Sequence, residues 1–182
     1  MVIYAVGVIE IKSIAKGIEA CDDALKAANV RLVTAHSACP GKYEIQITGE
    51  ISAVQASLEH VREKYSAVIL DAVLLGRIDE QVIHALLGTQ PDVAHDALGI
   101  IETFSAASAI KAADTAVKTA KVDIVDLRTS RGMGGKGVVL ITGSVGSVQA
   151  AVSAGSDYAK QEGLFVSSSV IPAPHKELWS HL

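Results

Sequence analysis

The sequence AVGVIEIKSIAKGIEACDDALKAANVRLV at residues 5–33 reappears in altered form at residues 97–125, as ALGIIETFSAASAIKAADTAVKTAKVDIV. The two stretches align without a gap, and 14 of the 29 aligned positions are identical. Seven further identities match residues 42–56 with residues 136–150. The repeat indicates an internal duplication, so we predict a chain made of two copies of one domain.

Each copy shows the same order of strand and helix patterns. In the first copy, Ser13 is a candidate helix N-cap, and apolar residues then recur at helical spacing from Ile14 to Ala28. Strands are predicted at 2–11, 30–36, 43–49 and 67–74, and further helices at 51–64 and 79–87. The resulting order, βαββαβα, is the split βαβ or ferredoxin-like arrangement with an added terminal helix.

The second copy repeats this order, which fixes the predicted domain organisation. Its elements are predicted at 97–103, 105–120, 122–128, 137–143, 145–161, 164–171 and 175–181. The intervening sequence contains Gly, Pro and Asp, as linkers often do. We therefore expect an α+β protein with two tandem ferredoxin-like domains, at 1–88 and 95–182, and a linker at 89–94.

The composition excludes several classes of function. A net charge of −4 and the lack of a basic cluster argue against nucleic-acid binding. The first apolar run meets Glu10 too early for a signal peptide, and no apolar stretch approaches the roughly 18 residues of a membrane helix. Two cysteines do not make a disulfide framework. We expect a cytoplasmic protein with no membrane or nucleic-acid partner.

Motifs for catalysis are also missing from the sequence. The string GMGGKG at residues 132–137 fits the glycine pattern of dinucleotide-binding proteins, but the sequence after it predicts a strand. Pyrophosphate binding requires a helix N-terminus at that point, so a glycine-rich turn is the better interpretation. The six histidines are scattered, and no nucleophile–base signature appears. The sequence predicts a protein that is not an enzyme.

The two cysteines have different surroundings. Cys21 lies on the apolar stripe of the first helix, where a small buried residue is expected. Cys39 follows a strand, in a turn containing Pro40 and Gly41, where it would be exposed. One thiol cannot hold a metal alone, and on the residues alone a solvated loop thiol is the simpler interpretation. The alternative is an assembly with threefold symmetry, in which three copies of Cys39 share an iron–sulfur cluster.

Two motifs resemble the shell domain of bacterial microcompartments. They are AVGVIE at 5–10 with DALKAANV at 23–30, and ALGIIE at 97–102 with TAVKTAKV at 115–122. Because the copies cover nearly the whole chain, the resemblance is to the tandem-domain shell proteins. It implies a structural protein whose homotrimers form pseudohexameric discs with a central pore, and whose discs join other shell proteins edge to edge in the compartment shell.

The resemblance also implies roles for particular residues. The edge contacts would be Lys26, Lys118 and Arg77; the position matching Arg77 in the second copy holds Ala173, which puts equal chemistry at the two edges in doubt. The pore would be lined by two loops, and the residues concerned are Ser37, Ala38, Pro40, Gly41 and Lys42 from the first copy, with Arg131, Gly132, Met133, Gly134, Gly135 and Lys136 from the second.

Finer detail resembles one subgroup, the iron–sulfur-binding tandem shell proteins of propanediol-utilisation compartments. The matching strings are CPGK at 39–42, GMGGK at 132–136 and VIPAPH at 170–175. This resemblance implies that Cys39 from each of three subunits binds one 4Fe-4S cluster per trimer, which need not survive purification. Electrons could then reach encapsulated redox enzymes.

Two other functions remain open at the level of the sequence. The first is a stand-alone electron-transfer or redox-sensing protein that uses Cys39 but does not form sheets. The second is a ferredoxin-like regulator that binds a small anion through residues 131–136.

Overall fold

The computed structural model describes residues 5–129 and 132–182, which group into two compact units. Residues up to Ile78 form the first unit together with 132–135, and the second unit holds Asp79–Thr129 and Lys136–Leu182.

The first unit is a four-stranded antiparallel sheet with two helices. In chain order its elements are β1 (Ala5–Ile11), α1 (Ile14–Ala27), β2 (Val30–Ala38), β3 (Lys42–Gly49), α2 (Ile51–Lys64) and β4 (Ile69–Gly76). The strand order is β2-β3-β1-β4. Apolar residues of β1, β3 and α2 form the core, including Ile9, Ile11, Ile45, Ile47 and Leu58.

The second unit repeats this sheet and begins with an additional helix. Its elements are α3 (Glu80–Leu87), β5 (Ala97–Thr103), α4 (Ala106–Thr119), β6 (Asp123–Thr129), β7 (Gly137–Gly143), α5 (Val145–Gln161), β8 (Phe165–Ile171) and α6 (Lys176–Trp179). The strand order is β6-β7-β5-β8. Both sheets have the predicted split βαβ topology, so the fold class is confirmed.

The N-cap predicted at Ser13 is confirmed, and Ser105, predicted as the first residue of the matching helix, is the N-cap of α4. The Ser13 hydroxyl accepts a hydrogen bond from the Lys16 N–H at 3.4 Å, and the Ser105 hydroxyl accepts one from the Ser108 N–H at 3.1 Å. Each bond satisfies a backbone donor that has no partner within the helix. The duplication therefore extends to the helix caps.

Several predicted boundaries differ from those observed. Strand β2 continues to Ala38, which pairs with Lys42 at the start of β3. The predicted loop at 37–42 is thus a tight turn at 39–41, because cross-strand pairing continues to its base. Strand β4 begins at Ile69, since α2 ends in a turn in which the Val68 and Ile69 N–H groups bond to the Tyr65 carbonyl. The final helix, predicted at 175–181, is the single turn α6.

Helix α3 ends the first copy in sequence but belongs to the second compact unit. The predicted domains, 1–88 and 95–182, follow the repeat in the sequence, whereas the compact units follow the contacts and divide after Ile78. Contacts between α3 and β6 account for this grouping.

The length and polarity of the helices bear on membrane association. Within the described residues, every helix is too short or too polar to span a bilayer.

Candidate pore-loop site

The turn that carries Cys39 is closed by strand pairing. Ala38 and Lys42 are partners in the register of β2 and β3, and the Gly41 N–H donates to the Ala38 carbonyl at 3.0 Å. Gly41 has a φ of +83°, a conformation that favours glycine. Cys39, Pro40 and Gly41 are exposed at the tip, while Ala38 is buried at the base.

The glycine-rich segment of the second copy lies directly against this turn. A Cβ atom on Gly135 would lie 2.5 Å from the Cys39 carbonyl oxygen and 2.9 Å from Pro40 Cδ. The Lys42 ammonium donates a hydrogen bond to the Gly135 carbonyl at 3.0 Å. Two of the predicted pore segments are therefore in contact, and glycine is required at 135 because no larger residue fits the gap. Arg131 lies outside the described residues.

A glutamate–lysine ion pair recurs at the base of the corresponding loop in each copy. Lys42 Nζ lies 3.7 Å from Glu10 Oε2, and Lys136 Nζ lies 2.8 Å from Glu102 Oε1. Glu10 is fully buried, and the Lys42 side chain is only 12% exposed. These lysines therefore neutralise strand-end carboxylates, which reduces the charge that either can offer to an anion in solution.

The sequence analysis did not identify these ion pairs. Their signal was present, because both the glutamate and the lysine are identical in the two copies. In the first sheet, Glu10 pairs in register with Glu44, two residues after Lys42 on the same strand face. Strand pairing thus brings together residues that lie 32 positions apart in the chain.

A row of polar residues crosses the first sheet beside this ion pair. His36, Glu44, Glu10 and Asp71 are successive partners in the registers of the four strands. Glu44 is fully buried and accepts a hydrogen bond from Gln46 Nε2 at 2.9 Å. His36 Nε2 lies 3.7 Å from the other Glu44 oxygen. The base of the Cys39 turn therefore rests on a polar part of the sheet, in contrast to the apolar face that packs on the helices.

The two thiols occupy the environments predicted for them. Cys21 is buried, and burial raises the pKa of its thiol, which disfavours the thiolate form that binds metals. Cys39 is exposed. Among residues 5–129 and 132–182, no group of three His, Cys, Asp or Glu side chains could hold a metal ion. One chain thus offers one accessible thiol, which cannot hold a metal ion or a cluster on its own.

The predicted edge residues differ in their surroundings. Lys26 forms an ion pair with Asp22, and both side chains are largely exposed. Lys118 lies 2.7 Å from Asp114, whose side chain is only 4% exposed. Arg77 is exposed and has a φ of +51°, which is unusual for a residue with a side chain. Lys26 is therefore free to contact a neighbour at little local cost, whereas Lys118 also supports a buried carboxylate.

Replacing Gly135 with alanine tests the contact between the glycine-rich segment and the Cys39 turn. We expect a loss of about 2–3 kcal/mol in the free energy of unfolding, since the Cβ atom overlaps the Cys39 carbonyl and the φ of +86° is strained for alanine. Gly134→Ala is the matched control, because Gly134 has a φ of +63° but open space around it; about 1 kcal/mol is expected. Thermal or urea unfolding measures both, and equal losses would contradict the close contact.

The chain consists of two tandem split βαβ domains. Each domain has a glycine-containing loop that a Glu–Lys ion pair supports, so the two domains are copies of one structural module. Residues 5–77 and 97–174 both match the family model described as the BMC domain. The chain therefore belongs to the BMC-domain family of bacterial microcompartment shell proteins, as its motifs predicted.

Comparison with individual proteins agrees with this assignment. Bacterial microcompartment shell protein PduT of Citrobacter freundii is 38% identical over 178 residues, which cover 98% of this chain and 97% of the relative. Shell protein EutM of Escherichia coli K12 is 39% identical over 83 residues, covering 46% of this chain and 84% of the relative. The shorter match covers about half of the chain, as expected if that relative has a single domain.

Solved structures show the same architecture. A microcompartment protein from Desulfitobacterium hafniense DCB superposes with a TM-score of 0.82 at 46% identity, covering 96% of this chain and 97% of that one. The fused permuted hexameric shell protein of the RMM microcompartment gives a TM-score of 0.65 at 25% identity, covering 86% and 81%. PduT, EutM and the RMM protein are shell proteins, and the chain shares their domain, so the predicted structural, non-enzymatic role is confirmed.

Proposed function

We propose that three chains of this shell protein close into a pseudohexameric disc with a central pore, and that Cys39 from each chain holds one shared 4Fe-4S cluster there. The disc joins other shell proteins edge to edge. The cluster passes electrons across the shell to or from encapsulated redox enzymes.

The contact between the two pore loops is the observation that carries this proposal. Lys42 and Gly135 belong to equivalent loops of the two copies, and a 3.0 Å hydrogen bond joins them. Equivalent loops of successive domains must be neighbours if they surround one central axis. Closing three chains around that axis brings three loop pairs, and with them three copies of Cys39, to the same opening.

Unequal burial of the two copies supports assembly with a second copy of the chain. Ile14 and Ile18 are 41% and 56% exposed on α1, whereas the matching Ala106 and Ile110 on α4 are fully buried. Because α1 and α4 are duplicated helices with similar surfaces, we expect the face that is buried on α4 to be buried on α1 as well. A head-to-tail ring of chains supplies the missing cover, because each chain then presents its second copy to the first copy of the next.

Cys39 has the accessibility that a shared cluster requires. A cubane cluster held by three thiolates can transfer one electron and leaves its fourth iron open to another ligand. The protein contributes the thiol at an exposed tip, and it fixes that tip through the Gly135 contact and the pairing of Ala38 with Lys42. The anion-binding alternative has less support, since Lys136 is paired with Glu102.

Light scattering during size-exclusion chromatography tests the trimer. We expect a stable particle at three times the chain mass of 18.9 kDa at micromolar concentration. Ile18→Asp should dissociate it, because each of three interfaces would bury an unpaired carboxylate at a cost of about 2 kcal/mol or more. Ile51→Asp is the control, since Ile51 is exposed and its counterpart Val145 is only half-buried, so neither copy has a fully covered side chain at this position. A wild-type monomer, or a trimer unaffected by Ile18→Asp, would contradict the proposed assembly.

A further inference from the structure

Helix α3 covers the exposed edge of the second sheet in a specific way. The Gln81 side chain donates from Nε2 to the Val122 carbonyl at 3.3 Å, and its Oε1 accepts from the Ile124 N–H at 3.0 Å. Strand β6 is an edge strand, so Gln81 satisfies backbone groups there that no neighbouring strand can reach. Val82, the next residue, is fully buried.

The start of α3 is held by a residue of the repeated helix. The Asp79 N–H donates to the Asp114 carboxylate at 2.9 Å, and Lys118 pairs with the same carboxylate. Helix α3 is thus fixed by its N-cap, which is bound to α4, by the Gln81 amide, which is bound to the backbone of β6, and by burial of the Val82 side chain.

The counterparts of these contacts in the first copy are exposed. Leu32, which matches Ile124, is 45% exposed, against 2% for Ile124. Asp22 matches Asp114, and its side chain is 61% exposed, against 4% for Asp114. Strand β2 is an edge strand in its own sheet. The first copy therefore carries the receiving surface for a helix like α3, and that surface is exposed in the single chain.

Helix α6 is the counterpart of α3 in the second copy, and it has no buried residue. His175 caps α6 by accepting from the Glu177 N–H, as Asp79 caps α3 by accepting from the Gln81 N–H. This correspondence pairs Glu177 with Gln81 and Leu178 with Val82. Stacking of Trp179 on His95, with ring centroids 4.3 Å apart, holds α6 on the second unit.

We propose that α6 of each chain docks on strand β2 of the next chain in the trimer, as α3 docks on β6. Glu177 takes the place of Gln81 and accepts from the Leu32 N–H, Leu178 covers Leu32, and the exposed Asp22 carboxylate receives the N–H of His175. This docking rests on the proposed trimer and identifies the residues that join its chains.

Charge complementarity favours a second copy of this chain as the occupant of β2. The neutral amide of Gln81 lies over β6 beside Asp123, with which it lines the same surface pocket. The matching residue on β2 is Arg31, which is exposed. The helix that would reach it carries the carboxylate of Glu177 in place of the Gln81 amide. From the first pair of elements to the second, Gln81 on α3 becomes Glu177 on α6, and Asp123 on β6 becomes Arg31 on β2. The two changes together provide the opposite charges of an ion pair.

A charge exchange tests the docking in the full-length protein. Glu177→Arg places two cations together at every chain junction, and Arg31→Glu places two carboxylates there. We expect each single variant to lower the association constant about fivefold at each of three junctions. The dissociation constant of the closed ring should then rise about a hundredfold. The double variant Glu177→Arg with Arg31→Glu restores the pair with reversed polarity and should recover most of this loss. Analytical ultracentrifugation over a dilution series measures all four proteins.

The matched control is Glu59→Arg, the same change at a residue that is exposed in its own copy and whose counterpart Ser153 is also exposed; it should leave dissociation unchanged. Far-UV circular dichroism should give one spectrum for all variants, since both positions are on the surface. If the wild type is a trimer and the single variants dissociate like it, or the double variant is no better than the singles, the docking is wrong while the trimer stands. A monomeric wild type would overturn both.

Discussion

Replacing Cys39 with serine is expected to abolish iron binding and leave the trimer intact. After anaerobic reconstitution with iron and sulfide, the wild-type protein should be brown and contain about one cubane cluster per trimer, because each chain supplies a single accessible thiol. A hydroxyl does not replace a thiolate as a cluster ligand, so the variant should lose the colour and the bound iron. The turn is held by the Ala38–Lys42 pairing, which the substitution does not touch.

Cys21→Ser is the control for this experiment. Cys21 is buried and its thiol pKa is raised, so its loss should leave the cluster in place and lower stability by about 1–2 kcal/mol through the buried hydroxyl. Iron and sulfide analysis, absorbance and electron paramagnetic resonance provide the measurements. Full iron content and an unchanged spectrum in Cys39→Ser would show that Cys39 is not a ligand. One cluster per chain would contradict sharing around an axis.

The fold could be predicted from the sequence because its signals are local and appear twice. The caps at Ser13 and Ser105, the helical spacing after them, and the alternation in β3 and β7 depend on neighbours a few residues away. A duplication makes each such signal count twice, since chance would not place it at the same point in both copies. The topology followed from the order of these elements.

The details of the site depend on pairing between distant residues, which periodicity cannot reveal. Extension of β2 to Ala38 follows from its partner strand, so a residue expected in a loop is buried. The pairing of Lys42 with Glu10 and with Gly135 joins three separate parts of the chain. Likewise, α3 was placed with the first domain because the repeat ends there, whereas its contacts are with β6.

The structure also separates two lysines that the repeat makes equivalent. Lys118 pairs with the buried Asp114, which in turn binds the N-terminus of α3. An aspartate at 118 would place two carboxylates together there and cost about 1–2 kcal/mol of stability in the second unit. Lys26 pairs with an aspartate that is exposed in the single chain, so an aspartate at 26 does not destabilise the fold of the first unit. A test of edge contacts therefore belongs at Lys26.

Lys26→Asp is expected to abolish sheets of discs. In the docked trimer it also places a second carboxylate beside Asp22, so sheets are compared at a concentration where the variant is still a trimer. If Lys26 lies on the disc edge, the reversed charge meets a neighbouring disc and disfavours each contact by several tenths to about 1 kcal/mol. Each disc presents this edge at three places, and a sheet repeats the cost at every disc, so a modest local effect prevents extended assembly. Negative-stain electron microscopy detects sheets, and light scattering reports the trimer.

Lys160→Asp is the matched control for this experiment. Lys160 is exposed on α5, pairs with Asp157 at 3.6 Å, and has an exposed counterpart in Ser66. The same reversal of charge there should leave sheets intact. If trimers of Lys26→Asp still form sheets, Lys26 does not lie on the disc edge. If the wild type binds clusters and forms trimers but never sheets, the stand-alone redox protein is the better description. The cluster and the trimer require only Cys39 and closure of the ring, whereas a shell also requires contacts between disc edges.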